Sequence, residues 1–185
     1  MVASAGGLSA FTLILAELPA DFPVPILVML HLDPHHRSQM AELLGRQTKL
    51  RVREAVEGGH LAAGTVSVAT PDHHLLVRSG GRLELTQTER VRFVRPSADL
   101  LLESLAESFG SRAVAVVLTG SGRDGADGAR ALKAKGGRVL VQDPATAQSA
   151  SMPSAVIRAG CASWVLPLKE IAPALIRLAR GGNSS

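Results

Sequence analysis

Cysteine is all but missing from this chain. Cys161 stands alone among 185 residues, which excludes an internal disulfide and fits a reducing compartment such as the cytoplasm. Its neighbours Ala159, Gly160 and Ala162 suit a buried small residue better than a reactive thiol. Tyrosine is absent, and one Trp and four Phe leave little surface on which bases could stack. The net charge of +4, from 20 basic and 16 acidic residues, therefore reads as a solvated surface or a face for an acidic protein partner, not for nucleic acid. The basic residues are scattered, apart from a mild cluster at Arg46, Lys49, Arg51 and Arg53. No apolar run reaches the roughly 18 residues that a membrane span needs. The best one, 22–32, is short and contains Pro23 and Pro25. No basic leader precedes Ser4, so neither a signal peptide nor membrane insertion is expected. Repeats, low-complexity tracts and linkers are also lacking.

What is present is an ordinary globular composition, 46% hydrophobic and 19% charged, at a length that suits one domain. The pattern alternates between helix and strand. Helical periodicity covers 8–18, 37–47, 97–109, 126–135 and 168–180. For the last of these, Pro173 falls in the first turn if the helix starts near Glu170. Short apolar, strand-like runs cover 24–30, 50–56, 65–69, 75–78, 82–86, 113–119 and 138–142, and Ser79-Gly80-Gly81 joins two of them as a hairpin. This order predicts an α/β fold: a doubly wound, mostly parallel sheet with helices on both faces and a small antiparallel hairpin insertion. The domain would occupy 1–180, with 181–185 as a frayed tail.

In such a sheet, functional groups collect at the carboxyl ends of the strands. Three loops at those positions carry reactive side chains. Ser4, in Ala3-Ser4-Ala5-Gly6-Gly7, leads the first helix; a serine on a sharp strand-to-helix turn is exposed beside backbone N–H donors. His31 ends the second strand, and Asp124 lies in Thr119-Gly120-Ser121-Gly122-Arg123-Asp124-Gly125. Together they suit a nucleophile, a general base and a group that orients the base. Each also has a plain structural reading: Ser4 as a helix N-cap, His31 as a strand-end histidine, and Asp124 as a prop for a tight turn. His31, His35 and His36 do not make a convincing metal set, because no cysteine and few acids accompany them. The second loop has a rival meaning. Gly120, Gly122 and Gly125 spell G-x-G-x-x-G between strand and helix, with Asp143 ending the next strand, as in a dinucleotide-binding domain. Asp124 opposes that reading, since a carboxylate there would repel a pyrophosphate. A non-catalytic interaction module is the remaining alternative.

Taken together, these segments resemble the catalytic domain of the bacterial chemoreceptor protein-glutamate methylesterases over essentially the whole chain. The resemblance rests on Ala3-Ser4-Ala5-Gly6-Gly7, on His31 with the segment 37–44, and on Pro71-Asp72-His73-His74-Leu75. It continues through Arg95-Pro96-Ser97-Ala98-Asp99, the loop 118–126, and Gln142-Asp143 followed by Met152-Pro153. It implies a Ser4–His31–Asp124 triad, with backbone amides of Ala5 and Ser121 as oxyanion donors and no cofactor or metal. It further implies hydrolysis of glutamyl methyl esters on the cytoplasmic helices of a chemoreceptor, deamidation of selected glutamines, and a receiver domain or signalling kinase as regulatory partner. Three positions depart from the family pattern. Only three residues precede Ser4 where a full apolar strand is usual, Val94 stands where histidine is common, and Ser121 stands where methionine is common.

Overall fold

The computed structural model describes residues 1–31 and 39–181. Seven strands form one parallel sheet: β1 (Val2–Ala3), β2 (Ile26–Leu30), β3 (Arg51–Glu54), β4 (Thr65–Val68), β7 (Val114–Val117), β8 (Arg138–Gln142) and β9 (Trp164–Leu166), in the order β3-β4-β2-β1-β7-β8-β9. A separate antiparallel hairpin pairs β5 (His74–Arg78) with β6 (Arg82–Thr86). The helices are α1 (Gly7–Glu17), α2 (Met40–Gly45), α3 (Ala98–Phe109), α4 (Ala126–Ala134), α5 (Ser151–Arg158) and α6 (Leu168–Ala179).

Because strand side chains alternate between faces, each central strand feeds two cores. In β2, Ile26, Val28 and Leu30 pack with Phe11, Ile14 and Leu15 of α1, with Met40 and Leu44 of α2, and with Ile171 of α6. Leu27 and Met29 face the other way, toward Leu101 and Leu102 of α3, Leu132 of α4, Val156 of α5 and Leu83 of the hairpin. The expected doubly wound sheet with helices on both faces is thus what the chain forms. From β1 the chain passes to β2, on to the edge strand β3 and back to β4 between them, then crosses to β7 on the far side of β1 and winds on through β8 to β9. The winding reverses between β1 and β7. Such a switch point leaves a crevice at the carboxyl ends of the strands.

Several expected bounds move. The second helix is predicted over 37–47 but is observed as Met40–Gly45, its first part falling outside the described residues, as do His35 and His36. Of the tail at 181–185, only Gly181 is described. Pro173 is not in a first turn: α6 begins at Leu168, so the proline is interior. Its missing N–H leaves the carbonyl of Lys169 without an intrahelical donor, and the exposure of that residue lets water replace it. Two elements were not foreseen. Short, small-residue α5 carries Pro153 in its first turn, and three-residue β9 is wedged between Ser163 and Pro167.

Candidate active site

β1 is short but held on both sides. Its register sets Val2 against Met29 and Ala3 against Leu30, so the next rung places Ser4 beside His31. The Ser4 amide donates to Thr119 O at 3.0 Å, tying the residue to the β7 loop, and the His31 amide donates to Ala3 O at 3.2 Å. The chain reverses immediately: the Gly7 amide donates to Ser4 O at 2.8 Å, and Gly6 adopts φ 79°, a left-handed conformation that suits glycine. Gly7 must also stay bare, because a Cβ there would lie 2.5 Å from Leu30 Cδ1 and 2.6 Å from Ala3 Cβ. Ser4 and His31 line one shallow depression, together with Ala5, Gly6, Gly7, Leu8, Ser9 and Leu30. Among the described residues no side chain caps α1, and its first turn holds no acid. Its positive end is open.

His31 Nε2 lies 2.7 Å from Asp124 Oδ2. The buried Asp124 carboxylate also accepts the Ser97 hydroxyl at 2.9 Å, the Ala98 amide at 2.6 Å and the Asp99 amide at 3.0 Å. It thus caps α3 from outside that helix, a task the local residue Ser97 leaves undone. Burial alone would push the Asp124 pKa up, but the hydrogen bonds from His31, Ala98 and Asp99 outweigh it and hold the carboxyl below its usual value. With Nε2 committed to an ionised acid, Nδ1 is the nitrogen left to take a proton from a nucleophile.

The arrangement is reciprocal. Asp99, in the first turn of α3, accepts the amides of Gly125 (2.8 Å), Asp127 (3.0 Å) and Gly128 (2.9 Å) through one oxygen, capping α4. Its other oxygen takes the Arg92 guanidinium, which also bonds Asp127. Burial, with the Asp124 charge beside it, pushes the Asp99 pKa up. Each acid serves the helix that the other precedes or begins, locking the β7 loop to α3. Close approach makes this possible: a Cβ on Gly128 would lie 2.6 Å from Asp99 O. Buried His74 adds a further brace, its Nδ1 accepting the Ser97 amide at 3.1 Å while its Nε2 donates to Glu89 O at 3.0 Å. Burial lowers its pKa, which suits this neutral tautomer.

This geometry overturns the dinucleotide reading of the second glycine loop. The α4 amides that would receive a pyrophosphate are already filled by Asp99, and Asp143 accepts the Ala145 amide at 2.9 Å in its own turn. Gly120 has another purpose. A Cβ there would fall 2.2 Å from Met152 Sδ, 2.9 Å from Ser4 Cβ and 3.0 Å from Ser4 N, so glycine lets the two loops meet. Thr119 and Gln142 stitch the same junction. Gln142 Oε1 accepts the Thr119 amide at 2.8 Å, and the Thr119 hydroxyl donates to Ala5 O at 2.8 Å.

Comparison with known proteins decides the family. Residues 1–175 match the model of the CheB methylesterase family. This chain belongs to that family. The protein-glutamate methylesterase FrzG of Myxococcus xanthus is 42% identical over 177 residues, covering 96% of this chain and 53% of that protein. Protein-glutamate methylesterase/protein-glutamine glutaminase 2 of Burkholderia orbicola is 43% identical over 178 residues, again 96% of this chain and 53% of its own length. The chain spans about half the length of these two relatives. The crystal structure of the Thermotoga maritima CheB methylesterase catalytic domain superposes with a TM-score of 0.92 at 36% identity, covering 96% of this chain and 95% of that one.

Within this CheB-type fold, the predicted residues meet as follows. His31 and Asp124 are bonded, and Ser4 adjoins His31 across the β1–β2 rung. The amides of Ala5 and Ser121 have no hydrogen-bond partner among the described residues, whereas those of Ser4, Gly7 and Gly120 are committed. The Ser121 hydroxyl faces that of Ser149 at 3.2 Å. Asp99, His74, Thr119 and Gln142 stand in the motifs that carry the family resemblance, but sequence reasoning gave them no role in supporting the site. Asp99 had a legible signal, an acid two residues after Ser97 at a helix start, but nothing local says that it caps a different helix.

Proposed function

We propose that this chain is a serine hydrolase that removes methyl esters from glutamyl side chains of chemoreceptors, using Ser4 as nucleophile, His31 as general base and Asp124 as the acid that orients it. The observation that carries the proposal is the 2.7 Å His31–Asp124 hydrogen bond, one strand rung from a serine on a glycine turn at the sheet's switch point. Ser4 Oγ attacks the ester carbonyl while His31 Nδ1 takes the hydroxyl proton, and Asp124 stabilises the resulting imidazolium. The negative charge on the carbonyl oxygen is met by the amides of Ala5 and Ser121, which have no partner among the described residues, and by the N-terminal end of α1. Collapse of the tetrahedral adduct expels methoxide, which leaves as methanol with the proton from His31. A water then gives up a proton to His31 and attacks the acyl-serine, releasing glutamate and restoring Ser4.

The same steps with ammonia as leaving group deamidate glutamine, in keeping with the methylesterase/glutaminase name of the Burkholderia relative. The chemistry calls for neither a metal nor a cofactor. A cytoplasmic receptor segment is the substrate we assign, and a receiver domain or signalling kinase the regulator. No helix among the described residues is long and apolar enough to cross a membrane. The test is methanol release from a methylated chemoreceptor cytoplasmic fragment. Release by the native chain that vanishes in Ser4→Ala supports the reading; equal release by both removes Ser4 from the mechanism.

A further inference from the structure

One apolar side chain is out of place. Phe93 is 93% exposed, far above the next exposed large hydrophobics, Val56 at 58% and Leu13 at 57%. It is not a loose residue on a loose loop. Phe93 has φ 70° and Arg92 before it φ 48°, both left-handed, a conformation that an aromatic or long side chain adopts only when its surroundings impose it. The surroundings here do. Val91 and Val94 exchange backbone hydrogen bonds of 3.1 and 3.0 Å around the turn. The Arg92 guanidinium clamps Asp99 and Asp127, at the starts of α3 and α4. Arg95 pins the loop's far side, donating to Asp72 at 2.7 Å and to the Thr88 carbonyl at 2.8 Å. Strain stored in a firmly held turn that thrusts a bare phenyl ring into water points to a role outside the fold.

The location narrows that role. Phe93 is four residues from Ser97, whose hydroxyl bonds Asp124, so it stands within about 14 Å of the catalytic acid's partner. Its neighbour Arg92 bonds Asp99, whose amide bonds Asp124, which in turn bonds His31. The turn is therefore braced on the same scaffold that holds the site. Its arginines are mostly engaged within the fold: Arg92 bonds Asp99 and Asp127, Arg95 bonds Asp72, and Arg123 lies 3.8 Å from Asp127, which leaves Arg90 beside Glu89 within 87–95. An exposed aromatic knob on a rigid turn, braced to the scaffold of the proposed esterase site, matches a protein substrate that offers a hydrophobic recess next to its reacting glutamyl side chain.

We infer that Phe93 is a substrate anchor, inserting into such a recess on the methylated protein and seating the ester over Ser4. This rests on the esterase reading above. An aromatic anchor filling a pocket at a protein interface is worth on the order of tenfold or more in affinity. Phe93→Ala should raise KM for a methylated chemoreceptor cytoplasmic fragment on the order of tenfold, with the loss in KM rather than kcat. Phe93→Trp should restore most of it, whereas truncation of another exposed apolar residue, Val165→Ala on edge strand β9, should not raise KM. A Phe93→Ala enzyme with native KM overturns the anchor and leaves the esterase reading standing. So does a fall in kcat at unchanged KM, which would assign Phe93 to loop geometry alone. If the native chain releases no methanol, the esterase reading falls and the anchor with it.

Discussion

Two loops in this molecule are written in the same grammar and do opposite things. Both the β1–α1 turn and the β7–α4 loop run from a central strand through glycines into a helix whose first residue follows a left-handed glycine, Gly6 in one case and Gly125 in the other. The amides at the start of α4 are filled by a carboxylate from another helix, which fixes the end of that loop next to Asp124. Among the described residues the α1 end has no side-chain cap and its first turn holds no acid, so in the proposed mechanism its positive field meets a transient charge. In the proposed mechanism, occupancy of the helix end, not the glycine spacing, separates the loop that would orient a base from the loop that would carry the nucleophile.

That contrast can be broken from either side. The largest effect should follow Ser4→Ala, a loss on the order of 10⁶-fold in kcat for methanol release, as when a nucleophile is removed from other serine triads. Asp124→Asn should cost on the order of 10⁴-fold, because the amide no longer enforces the imidazole tautomer or stabilises its charge. Turnover by that variant at native rates would strike the acid from the mechanism. Gly120→Ala forces a Cβ against Ser4 and Met152; the sulfur can swing away, but the Ser4 backbone cannot. Its kcat should fall on the order of 10²-fold, the toll of misplacing a nucleophile by about an ångström.

The filled loop is tested by stability. Asp99→Ala strips the acceptor from the Gly125, Asp127 and Gly128 amides and should cost about 2 kcal/mol, a fall in Tm of roughly 4–8 °C in thermal unfolding. The smallest effect is in acid. Asp124 is held below its unfolded pKa of about 3.9, so its contribution is complete above that pH and is lost as pH falls through the lower folded value. Asp99 is shifted upward and works with the opposite sign, the folded state gaining as its carboxyl takes a proton. In acid unfolding curves, Asp124→Asn should therefore flatten the decline below about pH 4.

Much of this was legible in the sequence, for identifiable reasons. Strong periodicity marked β2, β8 and α3, and the alternation of Ile26, Val28 and Leu30 with Leu27 and Met29 belongs to a strand buried on both faces. Ser4, His31 and Asp124 were singled out because strand ends in a doubly wound sheet converge, and the structure bonds His31 to Asp124 one rung from Ser4. Elements with too few residues to show a period, α5 and β9, were not seen. The G-x-G-x-x-G spacing of Gly120, Gly122 and Gly125 misled because spacing reports a tight turn and not what fills it. The reciprocal capping by Asp99 and Asp124 is a tertiary fact, linking positions 25 to 29 residues apart, and no local signal encodes it.

The most direct test of this division of labour is a crystal structure of the chain after reaction with an alkyl fluorophosphonate, which forms a stable tetrahedral adduct on an activated serine. The expected result is a single adduct on Ser4 Oγ, with the phosphoryl oxygen about 2.7–3.1 Å from the amides of Ala5 and Ser121 at the open end of α1. An adduct on another residue, or a phosphoryl oxygen turned away from both amides, would contradict the account.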